Sequence, residues 1–438
     1  MTPQMQREAD RWYPLIDHPV QLDLVASVSQ GIRFPVVPAG RRSGKTERFK
    51  RFLAKQAMSN PNEIYFAAAP THDQAKKIFW DDLKLMTFSS VHPKKPSESE
   101  RKIYMPNGSE IHVIGLDKPQ RIEGIPWTGG GIDEIADIKG DAWEVNILPA
   151  LNTVTPTRPD YRAWCWLLGV PDGLSHYYDL AMYADSGIDP DWGYFHWKSS
   201  DILPADVIDA AKRQMSAKQY KQEYEASFET ASGRIYEDYS KDNHTTETIH
   251  PHEQLLWAHD QNYTPLSSCV SVVRESKLYI LDEIILESAV SEQSAIEFVE
   301  RYKDHKNKHV IIYGDPAGKA GEKHGQQSAY TAMEAVLRDT GWKYTRKVKR
   351  SHPAIKDRQN AVRAKIKNAA GDISLYVNPE KCEYSNKGLS TVQLKKGSTF
   401  LEDDSDKYQH ITTAIGYHIE AEWPIDAPAT DLKLTFAR

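Results

Sequence analysis

The sequence is poor in cysteine, with three in 438 residues, at positions 165, 269 and 382. They are odd in number and widely spaced, which excludes a disulfide framework and a cysteine-based zinc site and points to a reducing cytosol. No apolar run reaches the roughly 18 residues of a membrane span. The opening MTPQMQREAD has no apolar signal core, which argues against secretion. Excess positive charge is missing too: Lys and Arg number 55 against 61 Asp and Glu, a net charge of −6. The surface as a whole is therefore no magnet for nucleic acid, and any such contact must be local. Internal repeats and low-complexity tracts are absent. What remains is an ordinary globular composition, 40% hydrophobic, long enough for two or three domains with substantial cores.

The chain is organised around Pro38-Ala39-Gly40-Arg41-Arg42-Ser43-Gly44-Lys45-Thr46, between an apolar strand (34–37) and a helical pattern from Glu47. Strand, glycine-bearing turn and helix start are the parts of a phosphate-binding loop. Gly40 and Gly44 let backbone amides crowd round an anion, Ser43 and Arg42 complete the turn, Lys45 reaches the β/γ-phosphates, and the Thr46 hydroxyl can ligate Mg²⁺. The spacing is variant, because Ala39 stands where the first glycine belongs. Upstream, Gln21 offers an amide able to donate and accept at an adenine edge, or simply a solvated helix residue. Residues 3–30 read as helix interrupted by Pro14 and Pro19. Downstream, 63–70 is a buried strand leading into a helix capped by Thr71 or Asp73, and 103–115 reads as a hairpin.

Gly129-Gly130-Gly131-Ile132-Asp133-Glu134 follows. An Asp–Glu pair ending a strand opposite a phosphate loop divides the labour: Asp133 holds the Mg²⁺ shell and Glu134 polarises the attacking water. Three glycines make this a weak strand by sequence. The strand 164–168 then ends in Gly169-Val170-Pro171-Asp172-Gly173, either a sensor of hydrolysis or a plain turn. Arg41 or Arg42 could neutralise transition-state charge in cis, and an arginine from another subunit could do so equally well.

In this order, Gly40–Thr46, Ala69–Lys76, Ile132–Glu134 and Gly169–Gly173 resemble the large terminase subunit of tailed bacteriophages and prophages. The resemblance implies an α/β chain: a P-loop ATPase motor with a mainly parallel sheet, then an RNase H-like nuclease with a mixed sheet. It places the motor at 1–230 with a small helical lid at about 174–230, a linker at 231–252, the nuclease at 253–423 and a tail at 424–438. It also implies ATP and Mg²⁺ in the motor, two Mg²⁺ or Mn²⁺ ions in the nuclease, and double-stranded DNA as substrate. The implied partners are a portal protein, a small terminase subunit and further copies in a ring, and the implied place of work is the cytoplasm of an infected bacterium.

The second half follows that expectation. Strands at 255–260, 268–273 and 278–285, a helix at 291–303 and a strand at 309–313 give the RNase H order. Two-metal cleavage needs carboxylates from separate strand ends around cations about 4 Å apart, and Asp260 and Asp315 each close an apolar strand. The resemblance makes both metal ligands, with Glu283 as support. It departs in the last helix, where Thr413 stands at the position of a family aspartate, so Asp406, His410 or a bridging water must take over, or the nuclease is weak. From Lys343 to Lys367 ten Lys and Arg face Asp357 alone, a sequence-blind DNA patch or a solvated face. The tail reads as a docking peptide for a partner such as the portal. Two other classes fit fewer of these features: a helicase-type ATPase without a nuclease, and a structural DNA-binding or capsid-assembly protein.

Overall fold

The computed structural model describes residues 2–152, 161–173, 175–228, 233–261, 265–320, 328–395, 398, 400–403 and 405–425. The chain forms two compact units, Met1–Ile208 with Lys221–Thr230, and Asp209–Tyr220 with Ala231–Arg438. This assigns 209–220 to the second unit, where the sequence placed it in the motor's lid. Among the described residues no helix is long and apolar enough to cross a membrane.

The first unit is built on seven strands: β1 (Phe34–Pro38), β2 (Ile64–Ala69), β3 (Lys102–Tyr104), β4 (Glu110–Gly115), β5 (Gly129–Ile132), β6 (Trp164–Gly169) and β7 (Trp192–Tyr194). Their order across the sheet is β3-β4-β2-β5-β6-β1-β7, parallel except for the β3–β4 hairpin. β1, β2, β5 and β6 are almost wholly buried, as continuous apolar strands covered on both faces must be. Along β6 the faces alternate: Trp164, Trp166 and Leu168 pack with Phe49, Phe52 and Trp80, while Cys165 and Leu167 pack with Phe34, Phe66 and Trp143. β7 joins this sheet beside β1, so part of the stretch read as a helical lid is a strand.

The three glycines of β5 sit at the centre of the sheet. A Cβ on Gly129, Gly130 or Gly131 would overlap the rings of Trp164, Phe66 or Phe49 respectively. Neighbouring aromatics therefore supply the volume that branched residues supply in other buried strands, and the strand holds its register from Gly129↔Trp164 to Ile132↔Leu167.

The second unit carries β8 (Leu255–Asp260), β9 (Leu266–Arg274), β10 (Lys277–Leu286), β11 (His309–Gly314), β12 (Lys343–Arg346) and β13 (Leu375–Val377). The order is β12-β11-β8-β9-β10-β13, with β8–β9 and β9–β10 antiparallel and the other pairs parallel. The helices Ser291–Arg301 and Ala329–Asp339 cover one face, and Ile355–Ile366 and Gln409–Glu422 the other. The expected linker at 231–252 is part of this unit: Ile235, Tyr236 and Tyr239 are buried against the second face, and Asn243 donates to Ile366 O and Leu375 O. Burial of three large side chains there outweighs a hinge-like polar composition. The docking reading of the tail falls almost wholly on 426–438, outside the described residues.

Candidate functional site

In the first unit the loop after β1 and the carboxylates after β5 come together at the C-terminal edge of the sheet, separated by the end of β6. This is where open parallel sheets bind ligands. Gly44 (φ 87°) ends the loop in a left-handed conformation that glycine adopts without penalty and opens the helix Lys45–Ser59. Gly40 is required by a close approach, since a Cβ there would lie 2.5 Å from Tyr224 O. That explains the variant spacing: Ala39 continues the sheet by bridging to Trp197, and glycine is needed one residue later.

The Thr46 hydroxyl donates to Asp133 Oδ2 at 2.6 Å. Asp133 is buried, and its other oxygen accepts from Glu134 N at 3.0 Å. Glu134 holds a left-handed backbone (φ 55°), a strained conformation outside glycine, at the start of the turn 135–137. Burial pushes the Glu134 carboxyl above its ordinary range. Lys45 pulls it back, Asp133 pushes it up further, and Arg41 opposes. Lys45, Asp133, Glu134 and Arg41 thus share one electrostatic neighbourhood. A hydroxyl and a carboxylate beside a phosphate cradle fit Mg²⁺, which is commonly held by one or two carboxylates together with substrate phosphates.

Two other residues are engaged differently from the sequence expectation. Gln21 is buried, donates to Ser43 O at 2.8 Å and accepts from Arg48 Nε at 3.1 Å. Both ends of the amide assigned to adenine therefore brace the loop. Arg41 Nε donates to Glu223 Oε2 and Arg41 N to Glu223 O, each at 2.6 Å, while Ser199 Oγ donates to Arg41 O at 2.7 Å. Ser43 Oγ donates to Gly40 O at 2.6 Å, and Arg42 is left-handed (φ 59°) and half-buried. Gln222 Nε2 reaches Asp172 Oδ1 at 3.4 Å, at the end of β6. Glu223 and Trp197, which also donates to Ser43 O at 3.1 Å, carried no signal in the sequence.

In the second unit, β8 and β11 are parallel neighbours with Gly314 opposite His259. The next residues along, Asp315 and Asp260, therefore sit side by side at adjacent strand ends. Both carboxylates act on the same phenols, helping to raise Tyr330 and Tyr417 after burial, the main cause in each. Each also carries an imidazole: His410 Nδ1 lies 3.0 Å from Asp260 Oδ2, and His352 Nδ1 lies 3.3 Å from Asp315 Oδ1 and 3.1 Å from the Tyr417 hydroxyl. Asp315 Oδ1 also accepts from Ala317 N at 2.7 Å. His259 points to the opposite face, edge-on to the Trp257 ring, its pKa pushed down by burial to about 3.

The remaining expected ligands are committed elsewhere. Glu283 accepts from Tyr384 N at 2.7 Å and from Ser385 N and Oγ at 2.9 Å each, which anchors the helix Glu383–Thr391. Asp406 accepts from Tyr408 N at 2.9 Å, at the entry to the helix Gln409–Glu422. Thr413 donates to Glu402 at 3.3 Å and accepts from Gln409 at 2.7 Å. Glu402 is itself paired with buried Arg358 at 3.1 Å. Among the described residues no group of three His, Cys, Asp or Glu side chains is arranged to hold a metal ion. Among the described residues two carboxylates meet at this edge, fewer donors than a pair of cations calls for.

The basic stretch 343–367 is also corrected. Arg346 pairs with Glu334, Lys347 with Glu422, Lys349 with Glu420 and Arg358 with Glu402. Arg363 donates to Ile235 O, and Lys365 lies over the Trp423 ring. Four of the ten cations are answered by acids elsewhere in the chain, and two more are engaged by a carbonyl and a ring, so the stretch is not one bare cationic face.

With this geometry in view, residues 37–146 match the family described as terminase large subunit, T4likevirus-type, N-terminal. The terminase large subunit of Escherichia phage T5 is 25% identical over 218 residues, 48% of each chain. The chain thus spans about half the length of the curated relatives it matches. The large terminase of a thermophilic bacteriophage shares the fold with a TM-score of 0.62 at 17% identity, covering 93% of this chain and 99% of that one. A second structure of that phage protein, in complex with ATP-γ-S, gives 0.59 at 17% identity, covering 92% and 98%. All agree with the resemblance carried by the motifs: the chain is similar to phage large terminase subunits, in sequence across the phosphate loop and the Asp–Glu pair, and in fold over almost its whole length.

Proposed function

We propose that the chain is the large subunit of a viral DNA-packaging terminase, with ATP hydrolysis in the first unit driving double-stranded DNA into a procapsid and the second unit cutting that DNA. The observation that carries this reading is the Thr46–Asp133 contact, with Glu134 beside it, in a chain that also sets Asp260 next to Asp315.

Lys45 and the amides at the start of its helix hold the β- and γ-phosphates of ATP. Glu134 orients a water and draws on its proton as the oxygen attacks the γ-phosphorus and the bond to the β-phosphate oxygen breaks. Thr46 and Asp133 would hold Mg²⁺, which supplies neutralisation of charge on the phosphates. Gln21 keeps the loop in shape, and Arg41, beside Glu134, neutralises the γ-phosphate once it leaves Glu223. Asp260 and Asp315 mark where the phosphodiester is cut. As a terminase the chain would work in the cytoplasm of an infected bacterium, with a portal protein, a small subunit and further copies of itself in a ring.

The test uses the full chain. DNA-stimulated phosphate release should vanish in Lys45→Ala, and divalent-dependent nicking of plasmid should vanish in Asp260→Ala with ATPase retained. Nicking unaffected by Asp260→Ala would leave a DNA-dependent ATPase without a nuclease, and ATPase unaffected by Lys45→Ala would overturn the whole reading.

A further inference from the structure

We propose that Glu223 is a built-in competitor for the nucleotide: it engages Arg41 of the phosphate loop, and ATP must displace it before that arginine can act. This rests on the ATPase reading of the first unit.

Arg41 brings to the loop two donors that suit an anion, a backbone amide and a guanidinium. Glu223 takes both. Its carbonyl accepts from the amide and its Oε2 from Nε, each at 2.6 Å. The glutamate side chain is only 14% exposed, against 41% for the arginine, so solvent screens this pair less than an open surface pair. Nor is the carboxylate free to drift. It sits near the end of the helix Ala217–Tyr224, and its two neighbours are fixed at the same site. Tyr224 O lies so close to Gly40 that a Cβ there would be 2.5 Å away, and Gln222 reaches Asp172 at 3.4 Å. From the other side Ser199 Oγ holds Arg41 O at 2.7 Å. Glu223 is thus an anion held in place on the loop, making charge-assisted contacts of the kind a phosphate makes. A triphosphate and this carboxylate contend for one guanidinium. Chains in which Arg41 is still paired are not competent for full binding, and apparent affinity falls by the fraction that is.

The test is binding of ATP-γ-S to the full chain with Mg²⁺ and without DNA, measured by titration calorimetry. Glu223→Gln keeps the shape and removes the charge, and should bind about three- to tenfold tighter than wild type. Glu223→Asp, which draws the carboxylate back by one carbon, should tighten binding by a smaller factor. Glu225→Gln, an acid of the same segment whose partner is Lys198, should bind as wild type does. In an Arg41→Ala background Glu223→Gln should change nothing. A charge that merely repelled nucleotide, or merely held the helix, would not need Arg41. Equal tightening with and without Arg41, or binding no tighter in either Glu223 variant, would overturn the proposal and leave the ATPase reading standing. Binding that ignores Lys45→Ala would overturn both.

Discussion

Thr46 and Asp133 are 87 residues apart in sequence and 2.6 Å apart in space, hydroxyl to carboxylate. The contact joins the first turn of the phosphate-loop helix to the end of β5. Thr46→Val and Asp133→Asn should each lower ATP turnover by about 10²–10³-fold, the range for losing one preorganised polar group at a charge-developing site. Thr46→Ser, which keeps the hydroxyl, should retain most of the rate. Phosphate release with unchanged thermal unfolding checks this.

Glu283 separates a structural acid from a metal ligand. Glu283→Ala leaves Tyr384 N and Ser385 N without their acceptor, and each buried orphan costs about 1–3 kcal/mol. The second unit should lose stability accordingly, with residual nicking at permissive temperature. A ligand would behave in the opposite way, with cutting abolished and unfolding barely shifted. Calorimetry and plasmid nicking on the same preparation distinguish the two.

Arg358 and Glu402 form an ion pair with both side chains buried. Truncating one partner strands the other charge and should cost about 3–5 kcal/mol, whereas an apolar pair of similar volume is often neutral or better. Arg358→Met alone and Glu402→Leu alone should therefore be severely destabilised, and the double variant should regain most of the loss. Chemical denaturation of the four chains closes the cycle.

The first unit should show an acid-sensitive element at Asp82. Burial would raise this carboxyl, but hydrogen bonds from Arg11 at 2.9 and 3.0 Å, with Lys50 as a further partner, bring it down to about 2. A carboxyl depressed in the folded state contributes stability that is complete above its unfolded value near 3.9 and is lost as pH falls toward 2. Because the side chain is one-third exposed, the contribution at neutral pH is about 1–2 kcal/mol. Asp82→Asn should unfold a few degrees below wild type at pH 7, and the gap should close as pH approaches 2.

Much of this arrangement is legible in the sequence alone. The phosphate loop, the Asp–Glu pair and the two strand-ending aspartates are each local, so a short window of residues carries both the element and its chemistry. What the sequence hides is relational. Glu283 looks free because its donors lie about a hundred residues downstream, at Tyr384 and Ser385. The basic stretch looks naked because Glu420 and Glu422 answer Lys349 and Lys347 from a helix some seventy residues later. The segment after 230 looks like a hinge because its small polar residues mask Ile235, Tyr236 and Tyr239. Gln21 and Arg41 do lie at the loop, but single-residue reasoning does not reveal Arg48 or Glu223 already holding them.

The glycine strand carries a lasting constraint. Because Phe49, Phe66 and Trp164 have grown into the space above and below Gly129–Gly131, those six positions form one interlocked unit that mutation cannot sample one residue at a time. A methyl group gained at any of the three glycines must be matched by a smaller ring opposite. The route by which this strand could drift toward a conventional sequence therefore runs through paired changes, and the carboxylates at its end are kept in place by the same interlock.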